Sequence, residues 1–146
     1  MKLLKTILKF LTPDNCVGCG LEGRGVCTDC SALLSFPDQC YRCKKPSLGG
    51  LTCSKREKKT AVSALWVVSG YSGLAKDLVV YMKYHPSAST AGEIGDLMAT
   101  RLPFLEKSQT IIAHIPTTAS RRRERGFDQA SVMTKQISKI SGIRSA

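Results

Sequence analysis

The stretch TIIAHIPTTASRRRERGFDQ, residues 110–129, places an apolar run, a Pro-Thr-Thr turn and a cluster of arginines in direct succession. Its first part, residues 110–116, is apolar and contains β-branched residues, which predicts a buried strand. Further along, apolar residues recur at helical spacing and predict an amphipathic helix after a basic loop. These residues are Phe127, Ala130, Met133, Ile137 and Ile140. Strand, loop and helix in this order are the repeating unit of an α/β fold.

The residues before this stretch add one strand and two helices to the predicted unit. ALWVVSGY, residues 64–71, is rich in β-formers and predicts a strand. GLAKDLVVYMKY, residues 73–84, carries a helical apolar stripe, and AGEIGDLMATRL, residues 91–102, predicts a second helix that Pro103 ends. This order of elements predicts an α/β fold with a parallel sheet. Two strands are too few for a self-sufficient parallel sheet, so the sequence predicts an incomplete domain.

All seven cysteines precede this region, and the first four form two C-x-x-C pairs. The pairs are Cys16 with Cys19 and Cys27 with Cys30. In a chain without a secretory signal, such pairs indicate metal ligands rather than disulfides. Four thiolates at this spacing predict a closed, tetrahedral, structural zinc site. An iron–sulfur cluster would accept the same ligands, but the short separation of the pairs favours zinc.

The remaining cysteines, Cys40, Cys43 and Cys53, form an incomplete second set. Arg56 stands where a second C-x-x-C pair would have its last cysteine. One interpretation is a second zinc with three thiolates and an outside ligand. Another is that the site has decayed and Cys53 is free, and a third is that Cys40 and Cys43 share a metal with one of the earlier pairs. Spacing alone does not choose among these interpretations.

Composition divides the chain into four segments. Residues 1–13 have apolar positions at helical spacing and predict an amphipathic helix that Pro13 ends. Residues 14–54 form the predicted zinc ribbon, residues 55–60 a basic linker, and residues 61–146 the α/β region. No apolar run approaches the roughly 20 residues that a membrane span needs, and no signal peptide is evident. We therefore expect a cytoplasmic location and no transmembrane segment.

Charge indicates an anionic partner. Lysine and arginine total 22 against 11 acidic residues, for a net charge of +11. Because ligands bind at the carboxyl ends of strands in open α/β sheets, the arginines after residue 116 lie where a phosphate group would bind. The alternative is a solvated helix entry with no ligand. The candidate phosphate-binding residues are Lys83, Pro116, Thr117, Thr118, Arg121, Arg123 and Arg125, and the candidate nucleic-acid-binding residues are Arg121, Arg122, Arg123 and Arg125.

The four-cysteine module, YSGLAKDLVVYMKY (71–84) and IPTTASRRRERGFDQA (115–130) together resemble the ComF family of competence-associated, phosphoribosyltransferase-like proteins. The most specific element is R-x-R-G-F-[ND]-Q-A, present here as residues 123–130. The resemblance implies an N-terminal zinc ribbon followed by a type I phosphoribosyltransferase fold, of which residues 61–146 would be the N-terminal part. It also implies that Pro116–Thr118 is a pyrophosphate-facing loop with a basic signature after it.

Two departures limit what the resemblance implies. Asp128 stands where the family usually has asparagine. The family's phosphoribosyl-pyrophosphate motif and its flexible catalytic loop do not occur within these 146 residues, so turnover is left open. Magnesium would be required only by a complete phosphoribosyl-pyrophosphate site.

Three functions follow as expectations. The first is a ComF-like protein that binds phosphoribosyl pyrophosphate in its full-length form and assists DNA uptake, with single-stranded DNA and DNA-uptake proteins as partners. The second is a zinc-ribbon module that binds single-stranded nucleic acid without catalysis, which the net charge permits. The third is an interaction protein with a purely structural zinc ribbon.

Overall fold

A computed structural model describes residues 14–34, 38–53, 61–85 and 87–146. The predicted amphipathic helix over residues 1–13 and the basic linker over residues 55–60 lie outside these ranges. The described elements, in chain order, are α1 (Thr28–Ala32), a 3₁₀ turn (Leu48–Gly50), α2 (Gly73–Tyr84), α3 (Ala88–Ala99), β1 (Ile111–Ile112), α4 (Ala119–Arg125), α5 (Gln129–Ser141) and β2 (Arg144–Ser145).

The described residues combine helices with a small parallel sheet of two strands. β1 pairs with β2 in parallel, with Ile111 opposite Arg144 and Ile112 opposite Ser145. The N–H of Ala146 extends this ladder by donating to the carbonyl of Ile112 at 2.9 Å. A parallel sheet is present as predicted, but its second strand is residues 144–145 rather than 64–71, and β1 covers two residues of the predicted 110–116. Helices α4 and α5 form the connection between the two parallel strands.

The strand predicted over residues 64–71 is wrong. Only Ala64 pairs, in an isolated antiparallel bridge to Leu51 in the cysteine-rich segment. The N–H of Leu65 donates to the Gly50 carbonyl at 3.1 Å, and the indole N–H of Trp66 donates to the Gly49 carbonyl at 2.7 Å. Apolar β-formers give this segment its strand propensity, but a strand also needs a partner along its length. Its start pairs instead with the cysteine-rich segment, and not with β1.

Helices α2 and α3 largely follow the predicted periodicity. α2 coincides with the predicted helical segment, residues 73–84. α3 begins three residues before its predicted start because the hydroxyl of Ser87 accepts from the N–H of Thr90 at 3.2 Å and caps the helix. It ends at Ala99, so Pro103 does not terminate it.

Three of the first four cysteines, all except the exposed Cys19, lie in the same hydrophobic core as α2 and α3. The buried members are Cys16, Val26, Cys27, Cys30, Leu34 and Leu78, and the half-buried residues packed on them are Val17, Leu74, Ala75, Ile94 and Leu97. The apolar stripe of α2 therefore covers the cysteines rather than a sheet. Formation of this core and ordering of the four cysteines are consequently linked.

Polar contacts reinforce this junction with α3. Glu93 accepts from the N–H of Val26 at 2.9 Å and lies 3.8 Å from the Arg24 Nε. Asp14 accepts from the hydroxyls of Ser87, at 2.8 Å, and Ser89. Both carboxylates thus join the cysteine-bearing loop to the same helix.

Candidate metal centres and the arginine helix

Cys16, Cys19, Cys27 and Cys30 converge as the sequence predicts. Their four sulfur atoms all lie within 4.8 Å of one another, and the Sγ atoms of Cys19 and Cys27 are 3.7 Å apart. A tetrahedral zinc with Zn–S bonds of about 2.3 Å places its sulfur ligands about 3.8 Å from each other. This first cluster therefore fits a zinc ion in size and in ligand chemistry.

Backbone N–H groups point at the buried sulfurs of the first cluster. The N–H of Cys27 donates to the Sγ of Cys16 at 3.3 Å, and the N–H of Cys30 donates to the Sγ of Cys27 at 3.4 Å. Burial alone would raise the pKa of Cys16, but the N–H groups directed at it outweigh burial and lower the pKa to about 6. The neighbouring thiol of Cys27 and burial raise the pKa of Cys30 to about 12. Four thiols this close can ionise together only when a cation neutralises them.

The first cluster leaves no room for a side chain at Gly18. A Cβ at this position would lie 2.7 Å from the Sγ of Cys30 and 3.2 Å from the Leu74 side chain. Any side chain would therefore push Cys30 away from the other sulfurs. The missing side chain at Gly18 thus makes room for a ligand sulfur.

Cys40, Cys43 and Cys53 form a second cluster of their own. Their sulfurs lie within 4.8 Å of one another, with 3.8 Å between those of Cys43 and Cys53. Backbone N–H groups of Cys53, Cys43 and Arg42 lower the pKa of Cys40 to about 6. This grouping contradicts the interpretation that Cys40 and Cys43 share a metal with an earlier pair. The three thiols can also hold a metal ion.

The arginine cluster is a helix and not the predicted basic loop. The hydroxyl of Thr118 accepts from the N–H of Arg121 at 3.3 Å and caps α4. Arginine is a good helix former, so the following residues continue the turn. Gly126 ends the helix in the left-handed conformation, with φ of 82°, which glycine adopts at little cost. The sequence signal for this element was the Thr-to-Gly spacing around the arginines.

The predicted anion-binding residues divide into an exposed group and an anchored group. Arg121, Arg122 and Arg123 are exposed to solvent. Arg125 is half-buried and donates to the side-chain carbonyl of Gln129 at 3.0 Å. Gln129 in turn donates to the carbonyl of Met82 at 3.4 Å, which lies next to Lys83 at the end of α2. Sequence patterns did not identify Gln129. Through its bonds to Met82 and Arg125, this buried polar residue links α2 to α4, the arginine helix (Ala119–Arg125).

Residues 113–118 connect β1 to α4, and Asp128 holds Thr117 in the Pro116–Thr118 part of this connection. The carboxylate of Asp128 accepts from the N–H of Thr117 at 2.9 Å and from the N–H of Ser131 at 3.2 Å. The second bond caps α5. Burial works to raise the pKa of Asp128, but these N–H groups outweigh it and lower the pKa below its usual range. The Thr117 N–H is therefore already paired.

We predict that Asp128→Asn loosens the turn while keeping the cap of α5. An amide can offer its one oxygen to Ser131 but then turns its NH₂ toward the Thr117 N–H, so one hydrogen bond is lost, at about 1 kcal/mol. Asp128→Ala should lose both bonds and add the cost of a missing cap, about 1 kcal/mol more. Urea unfolding measures the loss, and amide exchange of Thr117 and Ser131 separates the two bonds. Equal protection of Thr117 in the wild-type and Asn proteins would refute this role.

The fall in the free energy of unfolding at acidic pH tests the same contacts. Since folding lowers the pKa of Asp128, its ionised form stabilises the fold above the usual carboxyl pKa of about 3.9. That contribution should be lost as the pH falls through the folded pKa. We expect Asp128→Asn to flatten this part of the stability profile.

Comparisons with known proteins give no assignment. The chain matches no protein-family model, no curated protein and no solved structure. Among residues 14–34, 38–53, 61–85 and 87–146, no helix has the length and apolar character needed to cross a membrane. Function is therefore inferred from the two sites and from the motif resemblance.

Proposed function

We propose that this chain is a ComF-like protein of the phosphoribosyltransferase type, with a structural zinc ribbon before a phosphate-binding region, and that it acts in DNA uptake. One observation supports this proposal above the others. Residues 113–118 follow β1 at its carboxyl end, beside a parallel partner, and their last part, Pro116–Thr118, leads directly into the arginine helix. Ligands of open parallel sheets bind at this edge.

Phosphate groups would be bound mainly by guanidinium groups. Arginine offers two parallel N–H donors to a phosphate, and Arg125 is already oriented by Gln129. The Thr117 N–H is paired with Asp128, so a phosphate would have to compete with a carboxylate for it. On this proposal the ligand is phosphoribosyl pyrophosphate, contacted by Arg121, Arg123 and Arg125; Arg121 and Arg125, four positions apart, lie on the same face of α4.

A zinc-ribbon module that binds single-stranded nucleic acid without catalysis is the second candidate. The exposure of Arg121, Arg122 and Arg123 on consecutive positions of α4 favours it. Successive residues of a helix are turned by about 100°, so these side chains cover a wide sector of its surface. Such a spread suits an extended chain of phosphates better than one enclosed pyrophosphate.

The two candidates predict different responses to alanine substitution. If phosphoribosyl pyrophosphate is the ligand, Arg121→Ala with Arg123→Ala should abolish its binding in calorimetry, whereas Arg122→Ala should not. If single-stranded DNA is the ligand, each of these arginines should contribute to binding of a fluorescent oligonucleotide. The slope of log affinity against log salt should then fall by about 0.7 for each phosphate that the protein no longer neutralises.

Lys135→Ala with Lys139→Ala is the matched control. Both lysines are exposed on α5, and the double variant removes the same charge as the arginine pair. It should leave phosphoribosyl pyrophosphate binding unchanged and weaken DNA binding less than the arginine variant does. If the lysine and arginine variants behave alike with both ligands, the arginine helix is not a binding site.

A further inference from the structure

The backbone around the second cluster repeats that of the first. Cys16 donates its N–H to the Leu21 carbonyl and accepts from the Gly20 N–H, at 2.8 and 2.7 Å. Cys40 makes the same pair of bonds with Lys45 and Lys44, both at 2.9 Å. Positive φ values occur at the equivalent positions, Gly20 at 79° and Lys44 at 58°.

The repeat extends beyond the turn to its flanking residues. An antiparallel bridge joins Asn15 to Glu22, and another joins Gln39 to Pro46 at the same spacing. A further bond from Gly23 to the Asp14 carbonyl corresponds to one from Ser47 to the Asp38 carbonyl. A lysine at positive φ is less favourable than a glycine, so the same turn forms around the second cluster although its sequence favours it less.

The two clusters differ in the number of ligands that the described residues supply, four in the first and three in the second. In the first, Cys27 and Cys30 supply two sulfurs from the start of α1. In the second, Cys53 supplies one, and no further cysteine, histidine or carboxylate of the described ranges joins the group. Cys40 is fully buried, whereas Cys43 and Cys53 are half-buried, so the side of the cluster they form is accessible.

The turn that carries Cys40 and Cys43 is basic. Arg42, Lys44 and Lys45 are exposed around the turn, and Asp38 is the one acidic residue between positions 38 and 53. A zinc ion with three thiolates carries a net negative charge, and these cations offset both it and an additional anionic ligand. Soft thiolate ligands are also those that zinc prefers at such sites.

We propose that Cys40, Cys43 and Cys53 form a three-thiolate metal site whose fourth coordination position binds a small-molecule thiol. The thiol binds through its sulfur, displaces a water molecule and releases its proton to solvent, and no atom changes oxidation state. The first cluster, with four thiolates of its own, offers no such position. This proposal is independent of what the arginine helix binds.

Cobalt substitution of the full chain tests the proposal, with 2-mercaptoethanol as the probe. The wild-type chain should bind two cobalt ions, one per cluster. Added thiol should raise the sulfur-to-cobalt charge-transfer absorption by the intensity of one Co–S bond and then saturate. Cys53→Ser should bind one cobalt fewer and show no response. The spectrum of the first cluster and the far-ultraviolet circular dichroism report that this variant is folded.

Arg56→Cys provides the opposite change, because it restores C-x-x-C spacing to Cys53. This variant should keep both cobalt ions, gain the additional charge-transfer intensity without added thiol, and no longer respond to it. Binding of a single cobalt by the wild-type chain would overturn the proposal. So would a wild-type spectrum that thiol leaves unchanged, or a response that persists in Arg56→Cys.

Discussion

Cys27→Ser is expected to cost the chain one zinc ion and the cooperative fold of the region around it. Cys27 contributes a ligand sulfur, caps α1 through that sulfur, and is buried in the core shared with α2 and α3. A structural zinc contributes apparent binding free energies of about 10–16 kcal/mol, and whole domains are stable by only about 5–15 kcal/mol. Loss of the metal should therefore exceed the stability that remains.

Zinc content by mass spectrometry and urea unfolding followed by circular dichroism measure this effect. Cys53→Ser is the matched control because it removes one ligand of the same chemistry from the second cluster. Cys53 is not among the buried residues of the core that contains Cys27, so its loss should lower the unfolding midpoint much less. Treatment with a zinc chelator should reproduce the Cys27→Ser result in the wild-type chain. A Cys27→Ser protein with an unchanged midpoint would show that the first cluster has no structural role.

Local patterns predicted the parts of the molecule whose partners are close in sequence. The C-x-x-C spacing brought Cys16, Cys19, Cys27 and Cys30 together because the first pair lies on one turn and the second at the start of α1. The stripe of GLAKDLVVYMKY likewise predicted α2 with its bounds. The repeat of the first turn in the second also has a sequence counterpart, D-N-C-x-x-C at residue 14 and D-Q-C-x-x-C at residue 38.

The errors arose where a distant partner decides the structure. Residues 64–71 have the propensity of a strand, yet Ala64 and Leu65 pair with the second cysteine segment. The stripe of α2 predicted a helix but not that its Leu78 packs against ligand cysteines. In the link from Arg125 through Gln129 to Met82, the bond between Gln129 and Met82 joins residues 47 positions apart, which no local pattern reports.

Gly95→Ala is expected to lower the stability of the protein, because Gly95 lies where α3 contacts α5. Gly95 is buried, and a Cβ there would lie 3.0 Å from both the Met133 carbonyl oxygen and the Gln136 Cβ. Since two of the nearest atoms, the Met133 oxygen and Cα, are backbone, the clash can be relieved only by moving α3 and α5 apart. Overpacking of this kind costs about 1–3 kcal/mol. The shift should also weaken the pairing of β2, which follows α5 after a turn of two residues.

Gly92→Ala separates this packing effect from helix propensity, because it makes the same substitution one turn earlier on α3. A Cβ at Gly92 meets no atom within 4 Å, so alanine should stabilise the helix by about 0.5–1 kcal/mol. The two variants should therefore shift the urea midpoint in opposite directions. Amide exchange of Ala146, which donates to Ile112 across the sheet, should become faster only in Gly95→Ala. If both variants stabilise the protein, α3 and α5 are not in close contact in solution, and the position of β2 beside β1 must depend on other contacts.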